Sequence, residues 1–216
     1  MYEQTDSFEK NELDSQLDEL FPFDSAELIE GVPAGDMKRF VGRMWIYYIP
    51  KFIRMSRTKS PVSFNFTAFL THGLWFISRG MYFTGIMILL IVTGTSAFQT
   101  YFSMISETLP KNQLAVLSMI SIIISGIEFM IMILSGLFGN RLYMTYCSKK
   151  IKRINAEATA KKADAEEFNR ALEINGGISM IPVISIGICF LAILYILERG
   201  NLFYIIKIAV EISEIL

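Results

Sequence analysis

Histidine is almost absent from this chain: His72 is the only one in 216 residues, and there are only two cysteines, Cys147 and Cys189. No His or Cys lies near His72 in sequence to complete a metal site, and the two cysteines lack zinc-ribbon spacing. A structural disulfide, a metal and any other cofactor are therefore not expected. A phosphate-cradling Gly-rich loop, a Ser-His-Asp set and paired catalytic carboxylates are also missing, so no enzymatic activity is expected. The first residues are acidic and lack an apolar h-region, which argues against a secretory signal peptide. There is no internal repeat. Most telling is the lack of charge in three long stretches. Residues 80–102 and 177–197 contain no charged side chain, and residues 113–138 contain one, Glu128.

Each stretch exceeds the roughly 20 residues that a helix needs to cross a hydrocarbon core about 30 Å thick. The expected fold is an all-α integral membrane protein with about three transmembrane helices. Apolar residues make up 52% of the chain and the mean hydropathy is +0.42, as such runs require. Net charge is −1, but the charges are segregated. Residues 1–36 hold eleven acidic side chains and one basic one, Lys10, whereas residues 37–59 hold seven basic ones and no acid.

The acidic head, 1–36, reads as largely disordered. It carries an apolar island, Leu20-Phe21-Pro22-Phe23, with Asp24 or Ser25 placed to cap a brief helix through Ile29, and a turn-rich linker at 31–36. Leu20, Phe21 and Phe23 are candidate anchors for a cytoplasmic protein partner. Residues 37–62 mix Lys and Arg with Phe40, Trp45, Tyr47, Tyr48 and Phe52. Beside a membrane span, this pattern points to anionic lipid headgroups rather than to nucleic acid. Residues 63–79 form a helix, capped by Ser63 or Asn65, that is too short to cross and is expected to be interfacial or re-entrant. At helical spacing His72, Trp75 and Arg79 share a face, which leaves a lipid-modifying activity as a third, weaker reading.

The positive-inside rule supports an interfacial placement. With 63–79 held on one side, residues 37–79 carry eight Lys or Arg, 103–112 carry only Lys111, and 139–176 carry eight again. The N terminus is then cytoplasmic and the C terminus outside. Residues 139–176 read as a cytoplasmic helix continuing the second span, with Leu142, Tyr146, Ile151 and Ile154 as a discontinuous apolar stripe and Asn175-Gly176-Gly177 as its stop. This helix is a second candidate partner-binding arm. Residues 201–216 read as an amphipathic tail helix. Ser125-Gly126, Ser135-Gly136 and Gly139 in and after the second span suit close helix packing or self-association into a homo-oligomer.

Glu128 is the one intramembrane carboxylate. Such a group is costly and is a functional candidate by default. A proton relay needs further ionisable groups, which the spans lack, so a hydrogen bond to a neighbouring helix is the leading expectation. The alternative is a small oligomeric channel or proton-coupled transporter using Glu128.

The stretch SFNFTAFLTHGLWFISRGMYF, 63–83, resembles the core signature of the domain-of-unknown-function family 2628 at Asn65, Ala68, Phe69, Trp75, Arg79, Met81 and Tyr82. A second resemblance, GLFGNRLYMTYCSKKIKRI at 136–154, rests on Asn140 and Tyr143, and a third on Leu172 to Ser179. Phe66 stands where the family usually has Trp, and Gly80 where it has Lys. The resemblance covers about residues 37–180. It implies a bacterial inner-membrane protein and implies no activity. The functional expectation is a non-enzymatic, membrane-anchored adaptor or assembly component.

Overall fold

A computed structural model describes residues 17, 19–106 and 109–198. The chain forms two compact units, one from residues up to Pro61 together with Met144–Gly177, the other from Val62–Tyr143 and Ile178 onward. The expected tail helix, 201–216, lies outside the described residues, as do residues 1–16 of the acidic head.

The first unit opens on a small hairpin, β1 (Leu28–Ile29) against β2 (Val32–Pro33), with Ile29 opposite Val32. Its two turn residues, Glu30 (φ 50°) and Gly31 (φ 77°), both have positive φ, the signature of the mirror-image turn whose twist matches a β-hairpin. A left-handed Glu costs about 1–2 kcal/mol. That cost is offset by docking: the Glu30 carbonyl accepts from Lys152 Nζ (2.6 Å) and Ser148 Oγ (3.1 Å), and its carboxylate accepts from Thr145 Oγ1 (3.3 Å). The brief helix expected through Ile29 does not form. Asp24 Oδ1 instead accepts from the Ala26 N–H two residues on, closing a turn. Ile29, Val32 and Ala34 of the acidic head are fully or almost fully buried, so the core of this unit reaches back into the stretch that reads as disordered.

Helix α1 (Ala34–Val41) follows directly and buries Ala34, Met37, Phe40 and Val41, a one-sided 3–4 spacing. It stops at Gly42 (φ 68°), whose N–H bonds Lys38 O. After a single 3-10 turn (Gly42–Met44) comes α2 (Trp45–Thr58), which buries Trp45, Tyr48, Ile49, Phe52, Ile53 and Met55. The aromatic residues expected at headgroup level are thus mostly core: Trp45 is 3% and Tyr48 1% exposed, while Tyr47 stays outside at 37%. Burying each such side chain contributes about 1.5–3 kcal/mol, and a folded unit offers them a dry partner surface.

The unit is completed by the C-terminal part of α5 (Lys111–Lys161) and by α6 (Ala165–Asn175), whose N-cap Asp164 accepts from Glu167 N (2.8 Å). Of the expected stripe on α5, Ile151 and Ile154 are buried, together with Met144, Cys147 and Ser148, whereas Leu142 is 45% exposed. The helix expected to run to 176 breaks at Lys162 (φ 55°) and restarts as α6. α6 packs on α1, with Leu172 fully buried and Arg39 hydrogen-bonded to Asn169.

The second unit contains α3 (Phe66–Ser78), α4 (Tyr82–Ile105), residues 111–143 of α5, and α7 (Met180–Glu198). Three helical stretches, α4, α5 and Ala165–Ile193, which holds most of α7, are long and apolar enough to cross a membrane. α3 is not. Among the described residues the fold is all-α apart from the two-residue strands. α4 and α7 start and stop within a few residues of their charge-free runs, and α5 starts with its run but continues beyond it to Lys161. α3 packs against α4, and α7 packs against both. Gly73 and Gly85 meet backbone to backbone: a Cβ on Gly73 would lie 2.8 Å from Gly85 O, and one on Gly85 2.6 Å from Gly73 O. Just before this contact α3 is kinked at His72 (φ 24°, ψ −99°).

Candidate functional site

The motif residues converge on the middle of α5. Asn65, the N-cap of α3, accepts from Ala68 N through Oδ1 (3.0 Å) and donates through Nδ2 to Asn140 Oδ1 (2.8 Å). Asn140 Nδ2 in turn donates to the carbonyl and the hydroxyl of Ser63, each at 3.1 Å. The N–H groups of Ser63 and Asn65 donate to Leu137 O (3.1 Å) and Gly136 O (2.8 Å). Ser63, Asn65 and Asn140 are 4%, 2% and 0% exposed. A buried polar group without a partner costs about 1–3 kcal/mol. Here both side-chain amides are engaged, so the network ties the start of α3 to α5.

Small residues allow that approach. A Cβ on Gly136 would sit 2.8 Å from Phe69 Cβ, and one on Gly139 3.1 Å from Ala68 Cβ and 3.4 Å from the Trp75 ring. By contrast, Gly126 has open space around it, so of the Gly residues that suit close packing, Gly136 and Gly139 are the ones used. Farther along, Trp75 meets Tyr143 edge to face at 6.0 Å, and the Arg79 guanidinium lies 5.6 Å from each ring. Arg79 is 8% exposed. Two ring faces together give a desolvated guanidinium a favourable electrostatic seat.

Asn65, Ala68, Phe69, Trp75, Arg79, Asn140 and Tyr143 thus form one contiguous cluster. Met81 is buried in the turn after α3, and Tyr82 points outward at 44% exposure. The kink at His72 breaks the helical spacing behind a shared His72, Trp75 and Arg79 face, and among the described residues His72 Nδ1 and Trp75 Nε1 are buried without hydrogen-bond partners. These contacts of residues 63–79 with α5 fall between Gly136 and Tyr143, about 10 Å of helix at 1.5 Å per residue. Ser63, Gly136 and Gly139 are the members that sequence reasoning did not place in the site. The small-residue spacing was the signal available for the two glycines, and the capping pattern the one for Ser63.

Glu128 sits elsewhere, on the side of α5 facing α4. Thr95 Oγ1 donates to its carboxyl group, and one turn away Gln99 Nε2 donates to Ser125 Oγ (3.1 Å). The two helices are therefore antiparallel and bonded through side chains at the depth of the apolar runs.

The first unit has an open groove of about 500 Å³ walled by residues 20–24 and by α2, including Leu20, Phe21, Ile53 and Arg54. Leu20 is 70% and Phe21 46% exposed. Phe23, expected to face a partner, turns inward onto the Trp45 ring at 5.6 Å. Glu27 and Arg57 close one end with two hydrogen bonds of 2.6 and 2.7 Å, and this contact raises the Arg57 guanidinium further above its ordinary value. Burial raises the Asp36 carboxyl, opposed by nearby Arg39, while the Arg153 hydrogen bond lowers Glu157. Among the described residues, no group of three or more His, Cys, Asp or Glu is placed to hold a metal ion.

No curated protein and no solved structure matches the chain. A family model does, that of the proteins of unknown function designated DUF2628, over residues 34–149. The matched stretch runs from the first residue of α1 through the amide network to the basic part of α5, more than half the sequence, and the chain belongs to that family.

Proposed function

We propose that the protein is a multi-pass component of a bacterial cytoplasmic membrane that acts without catalysis, as an anchored adaptor or assembly factor presenting its first unit to the cytosol. The observation that carries this reading is the groove on the first unit, where Leu20 and Phe21 stay exposed beside Arg54, with Ile53 buried in the same wall. An apolar groove rimmed by charge suits a peptide segment of a partner protein. The positive-inside rule supports a cytosolic first unit, with the C terminus on the far side. The 10 Å span of α3 contacts on α5, just past the apolar run, supports an interfacial rather than a crossing α3. Anionic headgroups would then meet basic side chains such as Arg43 and Lys59, which are exposed. The bond from Thr95 to Glu128 favours a helix-packing role for that carboxylate over the transporter alternative.

Removing residues 1–36 would strip Ile29, Val32 and Ala34 from the core, so point variants make the better test. Full-length protein purified in mild detergent should retain a cytosolic protein at near-equal stoichiometry. The Leu20→Asp, Phe21→Asp double variant should lose at least about 10-fold of it, the equivalent of about 1.4 kcal/mol. Equal recovery from both proteins would sink the groove as the docking site.

A further inference from the structure

The polar seam between α4 and α5 is incomplete within one copy of the chain. Gln99 has four hydrogen-bonding positions on its amide, and among the described residues it uses one, the bond to Ser125. Ser125 is exposed, and Gln99 and Glu128 are each only half-buried. These groups lie well inside apolar helices: Ser125 is near the middle of the run 113–138, and Gln99 is six residues from the end of α4. In hydrocarbon no water is at hand to complete them, and each unsatisfied polar group costs several kcal/mol. The neighbouring hydroxyls are already spent on their own helices: Thr93 donates to Leu89 O, Ser118 to Leu114 O, and Ser125 to Ser121 O.

We propose that this seam is where two copies of the chain meet in the membrane, with Gln99 at the centre of the contact. A side-chain amide is both donor and acceptor, so a two-fold axis passing near it pairs it with its own copy and satisfies donor and acceptor together. A second copy also brings its own Ser125 hydroxyl and Glu128 carboxyl to the same depth, which a lipid chain cannot do. Polar side chains of this kind drive transmembrane helix association. The opposite side of α5, with Ile123 61% and Ile127 48% exposed, offers nothing but apolar surface and is left to lipid. This inference is independent of the groove and its partner.

The test uses the full chain in vesicles, with Cys147→Ala and Cys189→Ala removing the native thiols. Under mild oxidation Ser125→Cys should form a disulfide-linked dimer and Ile123→Cys should not. In parallel, the particle mass of the protein with native cysteines in detergent should correspond to two copies, and Gln99→Leu should raise the dimer dissociation constant by about 10-fold or more. Equal cross-linking at positions 123 and 125, an adduct of the Ser125→Cys variant with a different protein, a single-copy mass for the wild type, or a dimer indifferent to Gln99→Leu would each overturn the proposal.

Discussion

Replacing Asn140 with leucine should lower the stability of the membrane unit by about 3 kcal/mol or more, read as a drop in melting temperature in detergent. Asn140 is fully buried and serves three bonds: it accepts from Asn65 and donates to two oxygens of Ser63. Leucine removes all three and leaves the Asn65 amide N–H, the Ser63 carbonyl and the Ser63 hydroxyl without those partners. These losses add, which is why the effect exceeds that of deleting one exposed contact. Asn140→Asp separates the bonding from the packing. It keeps the acceptor for Asn65 but turns the donor facing Ser63 O into a second acceptor, so it should be about as damaging as leucine despite its matching shape. A variant as stable as the wild type would mean that the network is incidental.

The second large effect is expected at Gly176. A Cβ there would lie 1.9 Å from Phe40 O and 2.7 Å from Phe40 C. The next residue, Gly177, donates its N–H to the same Phe40 carbonyl at 2.7 Å. The obstacle is backbone at the end of α1, not the tip of a flexible side chain, so alanine must push α1 and the end of α6 apart. Overpacking of this kind costs about 1–3 kcal/mol, and loss of the Gly177 bond adds about 1. Gly176→Ala should therefore expose the first unit to limited proteolysis while leaving the amide network around Asn140 intact. Gly94→Ala is the control. Nothing lies within 4 Å of Gly94, so that change should be close to neutral.

The spans were legible because hydrocarbon imposes a rule that acts over a continuous run: charge is excluded for about 20 residues or more, and no tertiary knowledge is needed to see it. The N-cap of α3 was legible as Ser63 or Asn65, since capping is settled within three residues, and Asn65 is the one that caps. The face of α2 was half legible. Trp45, Tyr48, Ile49, Phe52 and Ile53 have helical spacing, but whether an amphipathic helix lies on lipid or on protein depends on what else folds against it. Here the partner surface comes from α1 and from β1 of a hairpin that the sequence did not announce. The hairpin escaped notice because its strands are two residues long and its first turn residue is Glu, which seldom adopts positive φ. The Asn65–Asn140 bond joins residues 75 apart in sequence, and no periodicity signals such a pairing. The kink at His72 has no proline to announce it.

The interfacial α3 and the cytosolic first unit stand or fall with the side of the membrane on which Lys149 lies. In a cysteine-free background, Lys149→Cys and Lys111→Cys, both at exposed positions, can be exposed in intact cells to a thiol reagent that does not cross membranes. Position 111 should react at once, and position 149 only after the membrane is opened. Labelling of position 149 from outside, with position 111 protected, would contradict the account, because α3 would then cross the bilayer and the first unit could not be built on the cytosolic side.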